Sequence, residues 1–267
     1  FTPISKQPMT AIKVLVTRPV AQAKAMVELL QKQGFQVQHL PCLAIEPVQL
    51  ISEDGLQSKR LAMELSTFDH VIVISTNAAQ HWLDLVRDYW PQWPVGVNWW
   101  GMGESTQAML VAAGIDAGRP ATGDTSEALL AHLLPQIRMH DKVLIVRGQG
   151  GRQTLSDALT AAGAKVDYAQ CYQRKMPQLS ALQLLQVDEF APQAVILQSG
   201  ETLENFDALL AHKPWCDKHN IVLVLPSMRV ADQARALGYS VLLTSSSASN
   251  QSMCDTLLQS MLLPIQK

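Results

Sequence analysis

The residues whose spacing most invites a chemical reading lie between Lys142 and Gln153, in KVLIVRGQGGRQ. There an apolar β-forming run breaks into Arg147, three close glycines and Arg152 ahead of a helix-like segment. Glycines after a strand cradle phosphates when they let backbone N–H groups approach an anion at a helix start. This loop lacks the third glycine of GxGxxG, and the chain has no GxxxxGK[ST], so it is read neither as a dinucleotide nor as a nucleoside-triphosphate site. The plainer alternative is an ordinary turn into a helix.

The other candidates share a setting rather than a motif. Arg18-Pro19, Ser75-Thr76-Asn77, Gly103 to Thr106, Thr125-Ser126-Glu127, Ser199-Gly200, Ser227-Met228-Arg229 and Thr244 to Ser249 each follow a predicted strand and open a predicted helix. Side-chain oxygens at such turns cap the first N–H groups of the helix, and the positive end of the helix dipole suits carboxylates or phosphates. Capping alone is the bland alternative for the hydroxyls, and ion pairing at a sheet end is that for the arginines. Four cysteines stand without CxxC spacing and seven histidines without HxxxH or HExxH spacing, so neither a metal site nor a disulfide framework is expected. No histidine is assigned to catalysis. The tryptophans of WPQWPVGVNWW, Trp90 to Trp100, are read as a loop whose aromatics cover a core rather than as a stacking platform.

The elements that position these residues come from a repeat. Lys13 to Leu43, KVLVTRPVAQAKAMVELLQKQGFQVQHLPCL, aligns without a gap on Lys142 to Tyr172 at an offset of 129, pairing Arg18 with Arg147, Gly34 with Gly163 and Cys42 with Cys171. VIVISTNAAQHWL at Val71 aligns with VILQSGETLENFD at Val195, and Met102 to Gly114 with Pro226 to Gly238, both at an offset of 124. The first copy of the loop, Arg18-Pro19-Val20, keeps the strand and the arginine and has no glycine. A short β-branched run, a hydroxyl turn, a helix and a closing glycine recur throughout, which predicts an α/β fold of doubly wound parallel sheets.

Length and composition agree with two domains. The chain has 267 residues, 48% hydrophobic and 16% charged, with a formal charge of −2. That balance excludes a nucleic-acid binder acting through bulk basic charge, and any anion must be met locally. No apolar run reaches the length of a membrane span, and FTPISKQPMT is not read as a secretion signal, so a cytoplasmic protein with reduced cysteines is expected. The segments Pro41 to Pro47 and Cys171 to Pro177 read as two crossings between domains. The expected division is residues 1–42 with 177–267, and residues 46–171, with linkers near 43–45 and 172–176, the domains facing one another across a hinged cleft.

In order and spacing, VLVTRP, ISTNAA, the Gly103 to Thr106 turn, TSEALL, VLIVRGQGGR, CYQR and QSG with its following ENF resemble the uroporphyrinogen-III synthase family from Lys13 to about Leu258. The resemblance implies two flavodoxin-like domains joined by a two-stranded linker. It also implies an enzyme without metal or organic cofactor, closing linear hydroxymethylbilane to uroporphyrinogen III with loss of water and inversion of ring D. Partners implied are the tetrapyrrole alone, with no nucleic acid or membrane, a monomeric state and a transient contact with the preceding enzyme of the pathway.

Residue by residue, the resemblance makes Tyr172 the catalytic candidate, hydrogen-bonding or protonating the leaving hydroxyl. It assigns substrate contacts to Arg18, Ser75, Thr76, Asn77, Thr106, Ser126, Arg147, Gly148, Arg152, Ser199, Gly200 and Arg229. The second copy of the Gly-to-Thr turn departs from the family: Ser227-Met228-Arg229-Val230 puts valine where a threonine is usual, and Arg229 is the expected replacement ligand. Two alternatives are a non-catalytic two-domain protein that binds a small anion, and a nucleotide-sugar enzyme with two Rossmann-like lobes, the latter disfavoured by the missing phosphate loop.

Overall fold

The computed structural model describes residues 11–121, 123–151 and 153–262, with side chains to residue 260. In chain order the elements are β1 (Lys13–Val16), α1 (Val20–Lys32), β2 (Gln36–His39), β3 (Ala44–Pro47), α2 (Glu53–Met63), β4 (His70–Val73) and α3 (Thr76–Val86). Then come β5 (Asn98–Gly101), α4 (Glu104–Ala112), β6 (Ala117–Gly118), α5 (Ser126–Leu133), β7 (Lys142–Gly148), α6 (Thr154–Ala161) and β8 (Lys165–Lys175). The last are α7 (Ala181–Phe190), β9 (Ala194–Ile196), α8 (Gly200–Leu210), β10 (Val222–Leu225), α9 (Met228–Ala236), β11 (Val241–Thr244) and α10 (Asn250–Leu262). The fold is mixed α/β with parallel sheets. Among the described residues no helix is long and apolar enough to cross a membrane.

Among the described residues two compact units result: residues 11–44 with 175–262, and Ile45–Arg174. In the first, the strand order is β11-β10-β9-β1-β2; in the second it is β3-β8-β7-β4-β5-β6. The repeat explains both. The 124-residue offset carries α3 onto α8, α4 onto α9 and β5 onto β10 without a shift at either end, and the 129-residue offset carries β1-α1-β2 onto β7-α6-β8. Corresponding strands occupy corresponding places, β2-β1-β9-β10-β11 against β8-β7-β4-β5-β6. Each sheet therefore joins the opening βαβ of one sequence repeat to the remaining strands of the other.

Helices cover both faces of each sheet, because the strands are apolar on both faces. In the first unit, Leu15, Val195, Leu223 and Leu225 pack with α8 and α9, and Val14, Val16, Ile196 and Val224 pack with α1 and α10. In the second, Val71, Val73, Leu144 and Val146 meet α3 and α4, and Ile72, Val143 and Ile145 meet α5 and α6. Helices of the two copies end alike: Gly114 after α4 and Gly238 after α9 take φ of +83° and +92°, the left-handed turn that side chains resist.

Candidate functional site

The strand-end turns of the second unit build the most chemically elaborate group of side chains. β7 and β8 pair in regular parallel register from Lys142↔Lys165 to Arg147↔Gln170, after which Gly148 pairs with Tyr172. Cys171 is the extra residue of a β-bulge. Before the bulge the side chains alternate, Tyr168 toward the α5–α6 face and Ala169 toward the α3–α4 face; after it both Cys171 and Tyr172 lie on the α3–α4 face. One added residue thus turns the tyrosine toward α3.

There Tyr172, 2% exposed, stacks on His81 of α3 with ring centroids 5.7 Å apart and 28° between planes. Its hydroxyl lies 3.3 Å from Ser75 Oγ. Ser75 is also the N-cap of α3, accepting the Ala78 N–H at 3.1 Å. Either hydroxyl can be the donor in the pair with Tyr172; with Ser75 donating to the phenol oxygen, the phenol hydrogen is available to a third group. The Cys171 thiol donates to Arg147 O and Ala78 O, at 3.4 and 3.6 Å, and burial pushes it up to about 12. Burial holds the His81 imidazole below its ordinary value, against a smaller opposing pull from Asp84.

Two of the loop's glycines make room for neighbouring side chains. A Cβ on Gly148 would lie 2.6 Å from Tyr172 Cε2 and Cζ, so Gly148 leaves room for the tyrosine ring. A Cβ on Gly151 would collide with the Arg147 guanidinium. Gly150 alone has open space around it, with φ of +72°. Arg147 is folded beneath the loop, 7% exposed, donating to Gly150 O with its guanidinium 5.1 Å above the Tyr168 ring. It lines a concavity of about 280 Å³ together with Ile74, Met102, Asp124, Ser126 and Tyr168.

The remaining candidates are distributed over both units. Thr76 and Asn77 are half-buried in the first turn of α3, and Ser126 opens α5 behind the capping Thr125. Thr106 is buried in α4, 4% exposed. In the first unit Arg18 is half-buried and donates from Nη2 to Ala248 O at 2.9 Å, while His39 Nε2 donates to Arg18 O at 2.8 Å. Ser199 caps α8, accepting the Thr202 N–H at 3.1 Å, and Gly200 packs against the Gln233 amide. Arg229 is exposed on α9, 3.3 Å from Gln233 Oε1. Arg152 lies outside the described residues.

Sequence reading passed over His81. The signal was present: the 124-residue offset pairs it with Asn205, whose side chain donates at 2.8 Å to the carbonyl of Cys42, itself the counterpart of Cys171. Of the aromatic run, Trp90 and Trp93 anchor a loop by donating to Ala62 O and Ala113 O, at 2.7 and 2.8 Å. Trp99 and Trp100 belong instead to β5 and face opposite cores, which corrects the reading of the whole run as loop. His70 is a strand residue at the opposite end of the sheet, accepting from Trp100 Nε1 at Nδ1 and facing Asp141 with Nε2 at 3.5 Å. Among the described residues no cluster of three or more metal-ligating side chains occurs.

Comparison with known proteins matches residues 24–255 to the family described as uroporphyrinogen-III synthase HemD. A uroporphyrinogen-III synthase of Salmonella typhimurium is 29% identical over 253 residues, covering 91% of this chain and 98% of that one. One of Proteus mirabilis is 32% identical over 164 residues, 61% of this chain and 80% of the relative. Among solved structures, the uroporphyrinogen-III synthetase of Helicobacter pylori superimposes with a TM-score of 0.61 at 13% identity, covering 94% of this chain and 99% of that one, a likeness of fold.

Proposed function

The chain belongs to the uroporphyrinogen-III synthase family and is an enzyme of tetrapyrrole biosynthesis, a cyclising hydro-lyase; on that footing we propose how its residues close the ring. The substrate is linear hydroxymethylbilane, four pyrroles carrying eight carboxylates and a terminal hydroxymethyl group. Protonation of the hydroxyl releases water and leaves an azafulvene cation. The substituted carbon of ring D attacks it, and the spiro intermediate fragments and recombines to give uroporphyrinogen III. Closure without inversion competes, so holding geometry matters more than strong acid or base chemistry.

The observation that carries the reading is the hydrogen bond between Tyr172 and Ser75 at the start of α3. Ser75, held by the Ala78 N–H, steadies the phenol oxygen while the phenol hydrogen goes to the leaving hydroxyl. The ring's burial against His81 restricts that donor to one direction. Arg18, Arg147, Arg152 and Arg229 meet carboxylates, and Ser75, Thr76, Asn77, Thr106, Ser126, Gly148, Ser199 and Gly200 supply hydroxyls or backbone N–H groups at the turns.

The two units act as flavodoxin-like domains, residues 1–42 with 177–267 and 46–171, joined by linkers near 43–45 and 172–176. The enzyme works as a cytoplasmic monomer without cofactor and takes its substrate in transient contact with the preceding enzyme of the pathway. Tyr172→Phe is the test. It is expected to lower kcat about 100-fold with the fold retained; a variant that forms the III isomer at the wild-type rate removes the phenol from the mechanism. Arg229→Ala is expected to raise KM, and an unchanged KM removes that arginine from the substrate contacts.

A further inference from the structure

At the carboxyl ends of β1 and β9, buried polar groups of the first unit lack hydrogen-bond partners among the described residues. Val14 and Val16 of β1 are level with Ala194 and Ile196 of β9 in parallel register, and all four face α1 and α10. One further step of that alternation carries Arg18 and Gln198, again level, toward the same face. Among the described residues both polar atoms of the Gln198 side chain, Nε2 and Oε1, are buried without a hydrogen-bond partner, and so are Arg18 Nε and Asn250 Oδ1. Asn250 opens α10, and Arg18 Nη2 donates to Ala248 O in the turn just before it, tying the guanidinium to that helix start. Burial also holds the Arg18 guanidinium below its ordinary value.

The repeat gives these positions a counterpart. The two offsets carry Arg18 onto Arg147, Gln198 onto Ile74, Asn250 onto Ser126 and His39 onto Tyr168, and all four of those residues line the 280 Å³ concavity of the second unit. The same set of positions therefore recurs in the first unit, with an amide where the second unit has isoleucine. It lies between β1 and β9, where the strand order reverses, the place at which open parallel sheets take ligands.

We propose that this cluster of unbonded polar atoms is a pyrrole subsite of the tetrapyrrole reading above. Arg18 Nε and Gln198 Nε2 donate to one carboxylate arm of a substrate ring, while that ring's single N–H is shared between Gln198 Oε1 and Asn250 Oδ1 in a three-centre bond. A simple anion satisfies the two donors and leaves both acceptors unbonded; a pyrrole bearing an acid arm satisfies all of them.

The test uses the full chain labelled with 15N at glutamine and asparagine side chains, titrated with a monopyrrole that carries acetate and propionate arms. The Gln198 and Asn250 amide signals, assigned through Gln198→Leu and Asn250→Ala, are expected to shift with the monopyrrole and to shift less with acetate alone. Gln198→Leu is expected to raise KM for hydroxymethylbilane about tenfold with a smaller change in kcat. Its thermal midpoint should not fall, because an apolar side chain replaces an unbonded amide. Unmoved amide signals, equal shifts with acetate, an unchanged KM or a lowered midpoint each overturn the subsite. Wild-type enzyme that forms no III isomer overturns the tetrapyrrole reading instead, and the titration then decides the subsite independently.

Discussion

At Gly148 a single missing side chain determines where a phenol sits. A Cβ there lies 2.6 Å from two atoms of the Tyr172 ring, so Gly148→Ala must move either the ring or the end of β7. Overpacking of this kind costs about 1–3 kcal/mol, and the displaced hydroxyl loses Ser75. The expected variant is folded, somewhat less stable, and reduced in kcat nearly as far as Tyr172→Phe; steady-state kinetics with an urea titration checks both. His81 gives a second prediction. Burial depresses its pKa in the folded protein, so folded and unfolded chains are both neutral well above pH 6.5 and stability is at its full value there. As the pH falls through that value the unfolded chain takes up the proton first, and stability declines toward the lower folded pKa. His70 is depressed in the same sense by burial, opposed by Asp141 and Asp69. His81→Phe keeps an aromatic ring against Tyr172 and is expected to lose less stability between about pH 7.5 and 5 than wild type, measured as urea midpoints. The loop around Gly148 was legible as a strand-end turn, but its neighbour was not, because the ring that requires the glycine lies 24 residues further along the chain. The sequence reading had Gly148 as a substrate contact; the structure adds that its missing side chain makes room for Tyr172.

Among the elements, α3 and α8 are matched copies that differ in what their caps hold. Ser75 and Ser199 each accept an N–H three residues on, at 3.1 Å in both. Only Ser75 also meets a tyrosine, because the residue corresponding to Tyr172 in the first unit is Leu43. Ser75→Ala and Ser199→Ala should each cost about 1 kcal/mol of stability through the lost cap. Only Ser75→Ala should also lower kcat, so comparing the two variants separates capping from catalysis; equal kcat losses would deny Ser75 a special part. The caps and the closing glycines were legible, since each rests on a few adjacent residues. The β-bulge was not. The repeat aligns Cys42 with Cys171 without a gap, so the extra residue leaves no mark in the alignment and appears only as a register shift against β7.

Across the whole molecule the sequence repeats and the compact units are out of phase, and this decides which fragments fold. The first repeat runs from β1 to α5, yet β1 and β2 hydrogen-bond into a sheet completed by β9, β10 and β11, while β4, β5 and β6 are completed by β7 and β8. Each core follows the units: every described residue that packs on the α3–α4 and α5–α6 faces lies within Ile45–Arg174. A fragment of residues 45–174 therefore retains both faces of its sheet, and at that length a domain buries enough apolar surface to fold alone. A fragment of residues 11–141 is of similar length and contains one complete sequence repeat, but it holds two incomplete sheets. It lacks the β7 partner of β4 and the β9 partner of β1, so it exposes the strand edges on which both cores close. The first fragment is expected to unfold in a single cooperative urea transition with native-like circular dichroism, and the second to be disordered or aggregated. Cooperative folding of residues 11–141 would mean that the sequence repeat, rather than the spatial unit, is the folding unit of this chain.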